Sequence, residues 1–135
     1  PETQPIMARL RSDLAALCMA TLDGDLGSAT AEWDERAALG VVMAAGGYPG
    51  GYAKGKRISG LDVADSDDQK VFHAGTARSG DDIVTSGGRV LCVVGLGDTV
   101  QSAAQASYDA VAKISWEDAY YRGDIGHRAI AREQD

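Results

Sequence analysis

Four glycines and a proline crowd into seven residues, Gly46-Gly47-Tyr48-Pro49-Gly50-Gly51-Tyr52. Glycine weakens helices and strands through backbone entropy, and proline removes a main-chain donor. This stretch therefore cannot lie inside a helix or a central strand, and it reads as a tight loop of particular shape. The same residue recurs along the chain: 17 of the 135 residues are glycine, about 13% against an ordinary share near 7%. Such a chain favours short elements joined by close turns.

Periodicity places those elements. Over residues 5–22, Ile6, Leu10, Leu14, Leu17 and Cys18 recur at helical steps, with Pro5 suited to the first turn and Gly24 to the C-terminal end. One amphipathic helix is expected there, its apolar stripe Ile6, Leu10 and Leu14 docking poorly without a partner surface. Residues 28–35 read as a polar connector. Residues 37–45, with Leu39, Val41, Val42 and Met43, read as a strand. Shorter strands are expected at 57–58, 70–73, 83–85 and 89–94, and Gly87-Gly88 between the last two is a hairpin signal. Helical spacing returns after Asp98 or Thr99 as N-cap, through Val100, Ala104, Ser107, Val111 and Ile114. A strand-like stretch around Trp116, Tyr120 and Tyr121 follows. A short helix over 125–132 closes the chain, with Ala129 and Ile130 inward. Short strands followed by a long helix indicate an α+β domain with an antiparallel sheet.

Composition removes several function classes. Hydrophobic residues make up 44% and charged residues 24%, the balance of an ordinary globular domain. No apolar run approaches the ~20 residues of a membrane span. The net charge is −7, and the 13 basic residues are scattered, the densest group being Lys54, Lys56 and Arg57. Neither nucleic acid nor a membrane surface is an expected partner. Cys18 and Cys92 stand in apolar surroundings and read as small buried hydrophobes, with no ligand spacing for zinc. A cytoplasmic location is the default expectation.

Catalytic signals are few. His73 and His127 are the two imidazoles, and His73 reads as a structural residue at a strand end. There is no Gly-x-Ser-x-Gly elbow and no Walker Gly-Lys-Ser/Thr. Asp65, Asp67 and Asp68 lack the glycine and terminal glutamate of a calcium loop. No catalytic residue and no metal ligand is assigned within this chain.

A set of strings in order is more specific. Trp33-Asp34-Glu35-Arg36-Ala37, Val41 through Gly50, Val71-Phe72-His73-Ala74-Gly75-Thr76, Gly87-Gly88-Arg89-Val90-Leu91, and Tyr121 through Ile130 resemble the C-terminal domain of glycinamide ribonucleotide synthetases. Pro1-Glu2-Thr3-Gln4 resembles the end of the segment that closes the ATP-grasp domain in that family. The resemblance runs from end to end. It implies that residues 1–28 are the C-terminal helix of an ATP-grasp domain and that 29–135 form the C-terminal domain, a small antiparallel sheet like half of a barrel-sandwich hybrid, with packed helices. A processed or cleaved chain beginning at an acid-labile Asp-Pro bond is one expectation for Pro1, and a deliberately chosen start is another.

The resemblance further implies an ATP-dependent ligase that joins 5-phosphoribosylamine to glycine through glycyl phosphate, in de novo purine biosynthesis. The intact enzyme would use ATP with Mg2+ or Mn2+. The nucleotide and metal ligands would precede residue 1, so this chain alone is expected to bind neither and to be inactive, its partner being the missing ATP-grasp portion. Within the matched strings, Arg89 after Gly87 and Gly88, and Arg128 after Gly126-His127, are the candidate substrate contacts, since an arginine fork suits carboxylate or phosphate. The competing structural role is a salt bridge, for instance Asp124 with Arg128. The rival reading is a non-enzymatic carrier or binding domain, but Lys54, Lys56, Lys70 and Lys113 lack the methionine neighbours typical of a modified lysine.

Overall fold

The computed structural model describes residues 2–134, the side chain of Val63 excepted. Pro1, the first residue of the Pro1-Glu2-Thr3-Gln4 string, lies outside them. The centre of the fold is a four-stranded antiparallel sheet in the order β2-β5-β1-β6, with β1 at Ala37–Ala45, β2 at Gln69–His73, β5 at Arg89–Gly97 and β6 at Ala119–Tyr121. A separate two-stranded sheet pairs β3, Thr76–Ser79, with β4, Asp82–Thr85. The α+β expectation with an antiparallel sheet holds. Strand β1 spans the residues the apolar run marked.

Alternation along β1 and β5 divides the sheet into two covered faces. Val41 lies opposite Val93 and Met43 opposite Leu91, all fully buried beneath α3, Val100–Val111. Helix α3 is capped by Thr99, whose hydroxyl accepts from the Ser102 N–H. Its buried face is Ala103, Ala104, Ser107, Ala110 and Val111. On the other face, Gly40 and Cys92 lie under Pro5 of α1, Thr3–Arg9. The closing helix α4, His127–Glu133, packs beside α3. The Glu133 carboxylate accepts from the first N–H groups of α3, at Val100 (2.8 Å) and Gln101 (3.3 Å), which places a negative charge at the positive end of the helix.

Several expectations are corrected. The helix over 5–22 is two helices, α1 and α2, the latter at Leu14–Leu22. Between them Leu10 forms a bridge with Trp33, and Arg11 N–H donates to the Glu32 carbonyl. The Asp13 carboxylate restarts the helix by accepting from Ala15 and Ala16. Periodicity alone cannot detect this break, because the apolar spacing continues across it. Gly24 does end α2, with Gly24 N–H on Thr21 and Asp25 N–H on Ala20. The apolar stripe does not act as one unit: α1 docks on the sheet, whereas α2 buries nothing, with Leu22 80% exposed. Cys18 is exposed, not buried.

The Gly87-Gly88 signal also misleads. β4 pairs with β3 through a Gly80-Asp81 turn, and β5 joins the large sheet, so the glycines carry the chain from one sheet to the other. Strand β3 had no alternating apolar pattern to announce it. Residues 57–58 form only an isolated bridge, Arg57 with Val84.

Asp34 ties the N-terminal segment to the sheet. It is 7% exposed, and its carboxylate accepts from Arg36 (2.9 and 3.0 Å), the Arg36 backbone N–H (3.0 Å) and Arg11 (3.0 Å). Arg9 donates twice to the Asp34 carbonyl. The Arg36 side chain, then its backbone N–H, then Arg11, hold the carboxyl far below the ordinary carboxylate range. A depressed folded value means the stabilisation is fully present above the unfolded value near ~3.9 and is lost as pH falls below it. The melting-temperature gap between wild type and Asp34→Asn should therefore be constant at neutral pH and shrink below about pH 4. Melting curves at several pH values check this; a gap unchanged down to strong acid would mean the ion pairs contribute nothing.

Candidate functional site

Four of the strings, the first through Glu2, Thr3 and Gln4 and the others at 41–50, 71–76 and 87–91, meet at one cleft of about 620 Å3 on the α1 face of the sheet, whereas those at 33–37 and 121–130 do not line it. Thr3 and Gln4 enter it from α1, Tyr48 from the glycine-rich loop, Gly75 from the turn after β2, and Gly88 and Arg89 from the start of β5. Glu2 sits at the same rim, and Val42 and Cys92 supply the apolar floor. Burial pushes the Cys92 thiol up, so it remains protonated and inert there.

Backbone contacts hold these turns together. Gly75 N–H donates to the Arg89 carbonyl (2.9 Å), and the Gly75 carbonyl accepts from Ser86 (2.7 Å) and Gly87 (3.0 Å). Ala45 N–H donates to the Gly88 carbonyl (2.8 Å), and Tyr48 N–H to the Ala45 carbonyl (3.1 Å). The Tyr48 ring lies directly on Gly88, where any Cβ would overlap it. Tyr48 also meets Tyr52 edge to face, with centroids 6.1 Å apart. Glycine at 88 is thus a requirement of close approach. Gly88 lines the cleft without a side chain, and Gly87, outside the lining, packs against Gly75.

Arg89 is exposed at the cleft mouth, and its side chain makes no hydrogen bond or salt bridge with the described residues. Arg128 is likewise exposed and without such a partner, but it lies on α4, which packs against α3 on the opposite face of the sheet. The two candidate arginines are not brought together. The suggested Asp124–Arg128 bridge is not formed: Asp124 pairs with Arg122 at 2.8 Å. His127 donates from Nδ1 to the Asp124 carbonyl (2.8 Å), and His73 Nδ1 is 3.0 Å from the Thr76 hydroxyl. Both imidazoles serve turns. Tyr108 secures the neighbouring string, its hydroxyl donating to the Arg122 carbonyl (2.7 Å) and accepting from Ile125 N–H (3.1 Å).

A larger groove of about 820 Å3 runs between α3 and the loop before β2. It holds Asp68, Asp98 and Asp109 against Arg36, which is already engaged with Asp34 and Asp68. Its charge opposes an anionic ligand, so the smaller cleft is the candidate site. Among the described residues no three His, Cys, Asp or Glu side chains converge to hold a metal ion. No helix among them is long and apolar enough to cross a membrane.

A family model described as phosphoribosylglycinamide synthetase, C domain, matches residues 38–128. The chain belongs to this family. It is similar to phosphoribosylamine–glycine ligases of Allochromatium vinosum, 60% identical over 99% of this chain, and of Vibrio cholerae, 58% identical over the same share. The chain spans only 31% of the length of these curated relatives. A crystal structure of phosphoribosylamine–glycine ligase from Thermotoga maritima superimposes with a TM-score of 0.62 at 34% identity, covering 78% of this chain and 26% of that one. The residues that sequence reading left out of the site, Thr3, Gln4 and Tyr48, all lie in the strings that carried the family resemblance. Those strings were the available signal, although nothing local indicates that they share a cleft.

Proposed function

We propose that this chain is the C-terminal part of an ATP-dependent ligase that joins 5-phosphoribosylamine to glycine through glycyl phosphate, in purine biosynthesis in the cytoplasm. The observation that carries this is near end-to-end identity of 60% with a phosphoribosylamine–glycine ligase. The convergence of four of the resembling strings on one cleft supports it. ATP and Mg2+ or Mn2+ belong in this reading to the remainder of the enzyme. When bound they would activate the glycine carboxylate, and this chain would wall the substrate side and exclude water from the acyl phosphate.

In this reading residues 1–28 complete the ATP-grasp domain and 29–135 form the C-terminal domain. The apolar helix α2, none of whose residues is fully buried, supports that division, since a helix apolar all round is normally buried. The four-stranded sheet beside the β3–β4 hairpin is read as half of a barrel-sandwich hybrid. A carrier function is disfavoured by the hairpin tip, Ser79-Gly80-Asp81-Asp82, which presents no lysine.

Arg89, framed by Gly87 and Gly88, is assigned to an anionic substrate group, and Arg128 to a second contact on the other face. The test is an assay of the protein carrying the additional length of its relatives. It should form glycinamide ribonucleotide from ATP, Mg2+, glycine and phosphoribosylamine, and the 135-residue chain should not. Arg89→Lys and Arg128→Lys keep charge but lose the fork. Each should raise a substrate KM about ten- to a hundredfold at unchanged Tm. A lowered Tm with normal kinetics would make that arginine structural.

A further inference from the structure

Both ends of the glycine-rich segment rest on one strap, residues 112–118, which joins α3 to β6. At the near end, a Cβ on Gly46 would lie 2.7 Å from both the Cβ and the carbonyl oxygen of Asp118. At the far end, Ser59 and Ser115 exchange backbone hydrogen bonds (2.9 and 3.1 Å), and a Cβ on Gly60 would overlap the Lys113 carbonyl. Between these points Lys56 pairs with Glu117, and Gly46, Ala53 and Lys56 share a small hollow with Trp116 and Asp118. The strap turns sharply there: Ala119 N–H donates to the Trp116 carbonyl (3.2 Å), and Asp118 takes φ 64°. Among the described residues Asp118 is the one non-glycine at positive φ. A side chain in that left-handed region costs energy that glycine avoids, although aspartate tolerates it better than most residues. The contact is lopsided: the side chain is kept at 118, in the strained conformation, and is lacking at 46. Asp118 is exposed, so core packing does not explain the outlier, whereas its place under the loop does.

We propose that Asp118 is a positioning residue for the ligation: its left-handed turn is the seat on which Gly46 lies, and so it sets where Tyr48 stands over Gly88. The proposal rests on the ligase reading for its consequence in the reaction. The path from 118 to the cleft is short. Ala119 of β6 lies opposite Ala45 of β1, so the turn and the loop leave the sheet from one rung of the ladder. Ala45 in turn donates to the Gly88 carbonyl and accepts from Tyr48 N–H. A shift of the backbone at 118 therefore moves the chain two residues before Tyr48. Asp118 itself does not line the cleft, and it acts there only through Gly46. A residue that tolerates the left-handed region poorly would free the loop from its seat. Only the fraction of molecules with the loop seated would then bind substrate well, and the apparent affinity falls by that fraction.

The experiment compares Asp118→Val, Asp118→Ala and Asp118→Gly in the protein carrying the additional length of its relatives. Valine tolerates the left-handed region least, alanine somewhat better, and glycine adopts it freely. Asp118→Val should raise the KM for phosphoribosylamine or glycine about tenfold with kcat changed less than about twofold. Asp118→Ala should raise it less, and Asp118→Gly should restore it. Should Asp118→Val not fold, Asp118→Ala against Asp118→Gly carries the same comparison. Hydrogen exchange gives a reading independent of ligation. The amides of Tyr48 and Gly50, bonded within the loop to Ala45 and Gly47, should exchange about tenfold faster in Asp118→Val, while those of β1 and β5 keep their rates. The proposal is overturned if Asp118→Val lowers Tm but leaves KM and loop exchange unchanged, or if Asp118→Gly is as damaging as Asp118→Val. Faster loop exchange at an unchanged KM would also sink it and spare the ligase reading. No ligation by the unaltered protein would instead sink the ligase reading, and the exchange rates would then decide the seating alone.

Discussion

Replacing Gly95 by alanine is expected to destabilise the protein by about 3 kcal/mol, among the largest effects of any single methyl group in this fold. Gly95 lies on β5 where α3 passes directly over the strand. A Cβ there would sit 2.5 Å from the Ser107 backbone nitrogen and 2.8 Å from its hydroxyl, and would overlap the Ala103 carbonyl. The obstructing atoms are largely helix backbone, which cannot turn aside as a side-chain tip can. Relief requires lifting α3 from the sheet and loosening its contacts with Val41, Val93 and Met43. Urea unfolding of Gly95→Ala beside Gly27→Ala, a site with nothing within 4 Å of the added carbon, checks this. Equal midpoints for the two variants would mean that α3 slides at little cost.

Ser107→Ala should cost about 2–4 kcal/mol, although it removes a single oxygen. Ser107 is fully buried, and its hydroxyl donates to the Leu39 carbonyl at 2.6 Å while accepting from Gly95 N–H at 2.7 Å. It thus joins α3 to both central strands. Removing the oxygen leaves a main-chain carbonyl and a main-chain N–H facing an apolar layer, each without a partner. Because Gly95 and Ser107 share one contact, the double variant should lose less than the sum of the singles. Chemical denaturation of all three variants measures the coupling. Strict additivity would show that the Ser107 hydroxyl acts independently of the Gly95 packing.

The same residue marks a limit of pattern reading. Ser107 stands in the apolar stripe of α3 by spacing, and the spacing does place it on the buried face. Its two bonding partners lie 68 and 12 residues away, so no periodicity can identify them. The cleft has the same character. Arg89, Gly87 and Gly88 stand out beside one another in the chain. Thr3, Gln4 and Tyr48 join them only where α1 and the glycine-rich loop come to lie beside the start of β5.

Local physics sufficed for β1, where a run of β-forming residues is long and bounded. It sufficed also for α3, where a threonine cap precedes a helical stripe, and for the end of α2, where Gly24 closes the helix. These elements depend on neighbours within a few residues, and the chain carries those neighbours wherever it goes. The split between α1 and α2, the switch of Gly87-Gly88 between sheets, and the separation of Arg128 from Arg89 were decided by tertiary structure alone. In each case the residues within a few positions leave more than one arrangement open. The choice falls to distant partners: Trp33 pairing with Leu10, β1 and β2 taking the two edges of β5, and α3 occupying the face that α1 leaves open.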